Sequence, residues 1–444
     1  MACVTLCLYC KRATFAIITT VLWVLLQVLN VLLYTCYLPM LGLRSIRWHW
    51  GRRRNADGCK SVVIVGSGFG GLEAVRVLSS DPRFNVTLIS RRDHFEYTPG
   101  ILRLFCDADL FWHMACPIPS GRHEFVLGSV TAIETNSVSV ETASGSKVIA
   151  FDYIILAMGA DYRQPVTAST SDATMQARSA TWTQQCQAVE QANSVLILGG
   201  GAVGTELAAE IVDHYPNKQV SIVTGAASLV PSFPAKSIQH TQKWLRDRGA
   251  QVVLQERVAS FDERSCQTTS GKTFEADLVF NCFGLKAQTS SIASGSLASA
   301  LGDKQQLTVR ETLQIEGHDH IFAVGDLMTL PSGEIKQAFY AQLHGKLAGR
   351  NVARHLSQKR LLEYPRDIVG ASQAPLVAIV SLGRYSGSLV FNNLVITGFL
   401  AAITKWFIEW TKVQEMRERP VGLFVWHIGD KTAFFLSRCC CKPS

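Results

Sequence analysis

The chain has 444 residues, long enough for two or three domains with a substantial core. Apolar residues make up 48% of it and the mean hydropathy is +0.15, which is high for a soluble enzyme. The net charge of +8 is concentrated in residues 1–60, which hold eight Lys and Arg against Asp57; the nearly neutral remainder excludes a broad nucleic-acid face.

Thirteen cysteines give no disulfide framework and suit a reducing compartment. Cys3, Cys7 and Cys10 cluster at one end and Cys439, Cys440 and Cys441 at the other. Both groups read as palmitoylation sites or as plain free thiols. No metal site is expected.

Phe15 to Leu43 carries no charge, and about 20 apolar residues suffice to cross a bilayer. An uncleaved anchor is the first reading, with an interfacial or buried hairpin as the other. Basic residues are denser after this segment (Arg44 to Lys60) than before it, so the positive-inside tendency faces the globular part to the cytosol. Trp48 and Trp50 suit a membrane interface. The sequence does not select which membrane.

Val62 to Arg76, VVIVGSGFGGLEAVR, reads as a buried strand, a tight turn and a helix. Its spacing is Gly66-x-Gly68-x-x-Gly71, with Gly70 in the same turn. The first glycine permits the turn, the second lets a pyrophosphate approach, and the third lets helix and strand pack. A second strand, Asn85 to Ile89, ends at Ser90, where such folds usually place an acid on the adenosine ribose. Ser90 offers one hydrogen bond, and Asp93 is the alternative acid. Phe125 to Val140 alternates like an antiparallel meander, and Phe151 to Gly159 is a buried strand ending in a turn. Residues 160–190 read as a crossover and linker.

The opening pattern then returns in Ser194 to Val212, with Gly199-x-Gly201-x-x-Gly204 between a strand and an alanine-rich helix. Two such motifs imply two dinucleotides, most economically a flavin and a nicotinamide dinucleotide. The ribose position of the second motif lies near Thr224-Gly225. It has no acid to favour NADH and no adjacent arginine for a 2′-phosphate, so loose discrimination is expected. Ile321 to Asp326 is another strand followed by Gly325-Asp326. Asp326 either caps the following helix region or accepts hydrogen bonds from a cofactor polyol. Near the end, Phe399, Ile403, Trp406, Phe407, Trp410 and Val413 recur at helical spacing with Lys405, Glu409 and Lys412 between them. That amphipathic helix and the apolar run Val421 to Ile428 are core or a membrane-surface contact.

Both fingerprints, Ala157-Met158-Gly159 and the Gly325-Asp326 element make the chain similar to the pyridine-nucleotide flavoproteins with two dinucleotide-binding domains. Within them it resembles the type II NADH dehydrogenase and ferroptosis-suppressor (apoptosis-inducing-factor-like) branch, through FEYTPGILRLF (Phe95 to Phe105), GGGAVGTELAAEI, LQIEGHDHIFAVGD, AFYAQLHG and VSLGR. The resemblance implies an α/β fold with two Rossmann-like domains, for FAD and NAD(P)H, beside an N-terminal transmembrane segment and a C-terminal α+β membrane-associating region. The implied divisions are 1–58 (anchor and basic flank), 59–165 and 291–358 (FAD-binding), 166–290 (NAD(P)H-binding) and 359–444 (membrane-associating).

It further implies an FAD-dependent NAD(P)H oxidoreductase that passes electrons to a quinone. Gly66, Gly68, Gly70 and Gly71 would hold the FAD pyrophosphate, and Val130 would meet adenine through its backbone. Arg103, Pro99 and Gly159 would lie near the flavin, and Gly325 and Asp326 on the ribityl chain. Gly199, Gly201, Gly204 and Glu206 would hold the nicotinamide nucleotide. His344 is either the proton donor to the quinol or a hydrogen-bonded structural residue. The implied partners are a quinone and membrane lipid, with a homodimer as an option and no nucleic acid. A slow redox-sensing interaction protein and a ferredoxin-type reductase are the alternatives. Ser90, Met158, Phe339 and Leu343 depart from the branch's usual residues.

Overall fold

A computed structural model describes residues 13–33 and 58–429, apart from 122, 163–165 and 303. The basic flank from Arg44, Trp48, Trp50 and the terminal cysteine clusters lie outside the described residues. Helix α1 (Ala13–Leu33) is 21 residues long with a mean hydropathy of 2.3, long and apolar enough to cross a membrane. The chain continues as β1 (Lys60–Val65), α2 (Phe69–Leu78), β2 (Phe84–Ser90), β3 (Glu124–Leu127), β4 (Tyr153–Leu156) and α3 (Met175–Gln191). Then come β5 (Ser194–Leu198), α4 (Ala202–His214), β6 (Gln219–Val223), α5 (Ala235–Arg246), β7 (Gln251–Val253), β8 (Leu278–Asn281) and β9 (Ile321–Ala323). The last described elements are α6 (Ala338–Leu356), β10 (Val377–Ser381), β11 (Gly387–Phe391), β12 (Leu394–Thr397), α7 (Phe399–Met416) and α8 (Pro420–Gly429).

Two parallel sheets organise the fold. The first runs β9-β4-β1-β2-β3 and the second β7-β6-β5-β8. In each, the strand before a glycine turn is flanked by the next strand on one side and a late-arriving strand on the other. β1 and β5 are runs of β-branched residues and leucine buried on both faces, as parallel strands between helices require. β9 adds to the first sheet from far along the chain, so its following Gly325-Asp326 returns to the end of β4.

Three expectations change. The segment expected to be linker contains the 17-residue α3, capped by Thr174, whose side chain accepts the Ala177 N–H at 3.2 Å. Only Arg178, Trp182 and Val189 of α3 are buried, so it carries almost no apolar period. Glu124–Leu127 joins the first sheet parallel to β2; the antiparallel meander is formed by Ser129–Ile133, Ser137–Thr142 and Gly145–Ala150. The third change concerns α7. Of its aromatic stripe only Val413 is fully buried, whereas the charges between are turned inward. Lys405 Nζ meets Glu206 Oε1 on α4 at 2.6 Å, Glu409 pairs with Arg103, and Lys412 Nζ reaches Gln342 Oε1 on α6 at 2.8 Å. Glu415 binds Arg76 on α2 at 2.8 Å. α1 touches the same region: Phe15 sets its ring edge-on to Tyr385 and Phe399, and Asn30 Oδ1 accepts the Val421 N–H at 3.3 Å.

Candidate functional site

The two glycine turns are built alike, bond for bond. Gly66 N–H donates to Ile89 O and Ala157 N–H to Val65 O, both at 2.8 Å. In the second turn Gly199 N–H donates to Val223 O and Cys282 N–H to Leu198 O, again at 2.8 Å. Gly66 and Gly199 have φ of +108° and +115°, which side chains rarely adopt. A Cβ on Gly71 would lie 1.8 Å from Gly66 O, and one on Gly204 2.0 Å from Gly199 O, so both third glycines are sterically required.

The middle glycines differ in kind. Gly68 and Gly201 are helix N-caps with ordinary extended backbone, no side-chain cap, and nothing within 4 Å of where a Cβ would be. Each therefore opens a helix N-terminus, with its unpaired N–H groups and positive dipole end, onto free space. That is a cradle for a pyrophosphate. Gly70 turns elsewhere: its Cβ would meet Ala341 O of α6 at 2.9 Å.

Around the first cradle, Ser90 is buried and its Oγ pairs with Ser67 Oγ at 2.7 Å while accepting the Arg92 N–H at 3.1 Å. Asp93 pairs with His94 Nδ1 at 2.8 Å. Arg103 is held by Glu409 and by Gly100 O at 3.4 Å, beside half-buried Pro99. Val130 lies in the meander at a bulge, and Gly159, at φ +70°, has open space where a Cβ would be. Asp326 Oδ2 accepts the Tyr162 hydroxyl at 3.0 Å; Oδ1 has no hydrogen bond among the described residues. Burial pushes the Asp326 carboxyl up, against the opposing pull of Tyr162, Lys336 and His344. Tyr162 and Lys336 are site neighbours that carried no motif in the sequence.

His344, 2% exposed, accepts the Gly325 N–H on Nδ1 at 3.4 Å. Its Nε2 lies 2.8 Å from Glu334 Oε1, and Tyr364 donates to Glu334 Oε2 at 2.5 Å. Both ring nitrogens are thus occupied beneath the Gly325-Asp326 turn. At the second cradle, Glu206 Oε1 accepts the Ser381 N–H at 2.6 Å, its Oγ at 3.0 Å and Lys405 Nζ, so this side chain ties α4 to β10 and α7. One turn on, Glu210 is buried with Oε1 unpartnered among the described residues, and burial raises it to about 7.

A further neighbour lies 30 residues beyond the second motif's ribose position. A Cβ on Gly225 would stand 3.3 Å from Arg257 Cα and Cβ. The chain therefore does bring an arginine to Gly225, contrary to the expectation from sequence.

The buried thiols are poor nucleophiles. Burial raises Cys116 to about 11 and Cys282 to about 12, and pushes Cys106 higher still. Among the described residues no His, Cys, Asp and Glu group is arranged to hold a metal.

Two parallel sheets, each ending in an uncapped glycine cradle, define a flavoprotein of the two-dinucleotide class. The chain belongs to the pyridine nucleotide-disulphide oxidoreductase family, whose model matches residues 60–345. It is thus an oxidoreductase that uses FAD and NAD(P)H. It is similar to ferroptosis suppressor protein 1 of Taeniopygia guttata, at 29% identity over 80% of this chain and 95% of the relative. It is also similar to apoptosis-inducing factor homolog B of Dictyostelium discoideum, at 28% over 66% and 80%. Solved structures of similar fold include a sulfide:quinone oxidoreductase from Aquifex aeolicus (TM-score 0.67, 17% identity, 82% of this chain and 92% of that one). NDH2 from Plasmodium falciparum in complex with NADH is another (TM-score 0.66, 15% identity, 86% and 99%).

Proposed function

We propose that the protein is a membrane-bound, flavin-dependent NAD(P)H:quinone oxidoreductase, anchored by α1 as a single-pass segment with its catalytic part facing the cytosol. The observation that carries this reading is the pair of matched cradles, each with an open middle glycine. FAD fits the Gly66–Gly71 cradle, because Asp326 presents a free carboxylate oxygen from β9 where a polyol would pass. The nicotinamide dinucleotide is assigned to Gly199–Gly204. The chemistry supplied by the bound pair is hydride transfer from nicotinamide to flavin, followed by two-electron reduction of the quinone.

The chain's own residues bind and position. Helices α2 and α4 offer N–H groups to the two pyrophosphates. Val130 offers backbone to the adenine, and Gly159 leaves room beside the flavin. Gly325 and Asp326 are held in place by His344, whose nitrogens face Gly325 and Glu334; this geometry supports positioning more than proton delivery. Arg103, fixed by Glu409, sets a cation beside Pro99. Protonated thiols and the lack of a cysteine pair on α2 argue against disulfide reduction. The names of the relatives and of the similar structures, a ferroptosis suppressor and a quinone oxidoreductase, agree with a quinone as acceptor.

Stopped-flow absorbance of the full chain in detergent tests this. NAD(P)H should bleach the flavin, and a short-chain quinone should restore its colour within the turnover time. Slow reoxidation by every acceptor would favour the second reading, a redox-sensing interaction protein, which the similarity to apoptosis-inducing factor homolog B supports.

A further inference from the structure

The geometry points to Arg257 as the residue that recognises a 2′-phosphate, making NADPH the preferred nucleotide at the second cradle. The inference rests on assigning the nicotinamide dinucleotide to Gly199–Gly204. In a dinucleotide fold the adenosine ribose lies at the end of the strand after the glycine helix, where an acid takes the 2′-hydroxyl or an arginine the 2′-phosphate. That strand is β6, and it runs out into Thr224 and Gly225.

Thr224 is buried and its Oγ1 is used by the Ala226 N–H at 3.3 Å. Gly225 is exposed and bare. Two backbone bonds fasten the chain after β7 alongside this shelf: Glu256 N–H to Thr224 O at 2.9 Å and Gln255 N–H to Ala226 O at 3.0 Å. On the far side Thr269 N–H donates to Arg257 O at 2.8 Å. Arg257 is thereby set against Gly225, with Cα and Cβ 3.3 Å and Cγ 3.6 Å from where a Gly225 side chain would begin. Any larger residue at 225 would push into it.

The acid next door is already spent. Glu256 Oε1 takes Lys272 Nζ at 2.6 Å and Oε2 takes Ser270 Oγ at 2.6 Å. With Lys272 as the main cause, its carboxyl is held down at about 2. It is therefore engaged with the neighbouring hairpin and is not offered to a 2′-hydroxyl. The Arg257 side chain is exposed and makes no hydrogen bond or ion pair among the described residues. A guanidinium meets a phosphate with two parallel charge-assisted bonds, which a ribose hydroxyl cannot match.

The test compares AMP with adenosine 2′,5′-bisphosphate, which differ only in the 2′-phosphate, by isothermal titration of the full chain in detergent with its flavin retained. The bisphosphate should bind tenfold or more tightly than AMP, in line with a charged hydrogen-bonded pair. Arg257→Ala should erase that difference and change AMP affinity less than twofold, while Arg257→Lys should keep part of it. The NADPH-to-NADH ratio of kcat/KM should fall in parallel. Equal binding of the two analogues by the wild type overturns the inference, as does an equal loss for both in Arg257→Ala. If NADH binds and the bisphosphate shows no advantage, only the role of Arg257 falls. If no nucleotide binds at all, the assignment of the second cradle falls with it. The side chain is exposed, so an unchanged melting temperature confirms that Arg257→Ala is folded.

Discussion

Replacing Gly345 by alanine should separate the two helices that carry the flavin cradle. Gly345 lies on α6 where it crosses α2, and its Cβ would stand 2.0 Å from Gly70 O, 2.7 Å from Gly70 C and 2.9 Å from its Cα. Against a carbon–oxygen contact of about 3.3 Å, the 2.0 Å approach requires the backbones to part by about 1.3 Å. Alanine regains about 1 kcal/mol of helix propensity. Overpacking costs about 1–3 kcal/mol, at the upper end when backbone must yield. A net loss of about 2 kcal/mol lowers the melting temperature of a domain of 150–250 residues by about 4–8 °C. The larger effect is on the site, because Gly70 is in the first turn of α2 and any shift there moves the N–H groups of the cradle. Thermal melts and the flavin-to-protein absorbance ratio should both fall. Gly349→Ala is the control: its Cβ would meet only Val77 side-chain carbons at 3.0 and 3.1 Å, which can give way. It should stay within about 1 kcal/mol of the wild type, the propensity gain offsetting the crowding. A Gly345→Ala protein with wild-type stability and full flavin would refute the reasoning.

Gly68→Val and Gly201→Val have ordinary φ and an empty direction for the new side chain, so both should fold. The first should emerge without flavin, and the second with flavin that NAD(P)H no longer bleaches; retention of both functions would remove the cradles from the site. Lys412→Ala leaves Glu415 and Gln342 facing a buried void, and breaking a buried pair in this way costs about 3–5 kcal/mol. A melting temperature within 2 °C of the wild type, roughly 1 kcal/mol or less, would contradict that. Glu210 supplies a pH test. Its folded value of about 7 exceeds the ordinary 4.5, so the folded state holds a proton that the unfolded chain releases, and wild-type stability falls as the pH rises from about 4.5 to about 7. Glu210→Gln should match the wild type at pH 5 and exceed it at pH 8, by up to about 3 kcal/mol; a gap that does not change with pH sinks the account.

The glycine turns were legible because their constraints are local: a positive φ at Gly66, a close approach at Gly71, and the same again at Gly199 and Gly204. Asp326 was legible because strand, glycine and acid are adjacent in the chain. What escaped depends on distance. Helix α3 has no apolar stripe, and is held instead by Arg178 and Trp182 donating to the buried Glu96 carboxylate at 2.9–3.2 Å. Arg257 reaches Gly225 only through two backbone bonds between separate strand ends. On α7 the hydrophobic period was read correctly as helix, but its inward face was assigned by apolarity. Partners for its charges lie on α2, α4 and α6, hundreds of residues away in places, and nothing in a local window announces them.

That inversion of α7 has a practical consequence. A helix with exposed aromatics at the end of a chain invites deletion by anyone seeking a water-soluble enzyme. Here its removal would strip counter-charges from Arg103, Glu206 and Arg76 at once, beside the flavin, on the nucleotide helix and on the cradle helix. Solubility is better sought by leaving the backbone of α7 intact and replacing its outward rings, Trp406, Phe407 and Trp410, with polar residues. The apolar surface is then shed while the electrostatic keel that aligns both nucleotide sites stays in place.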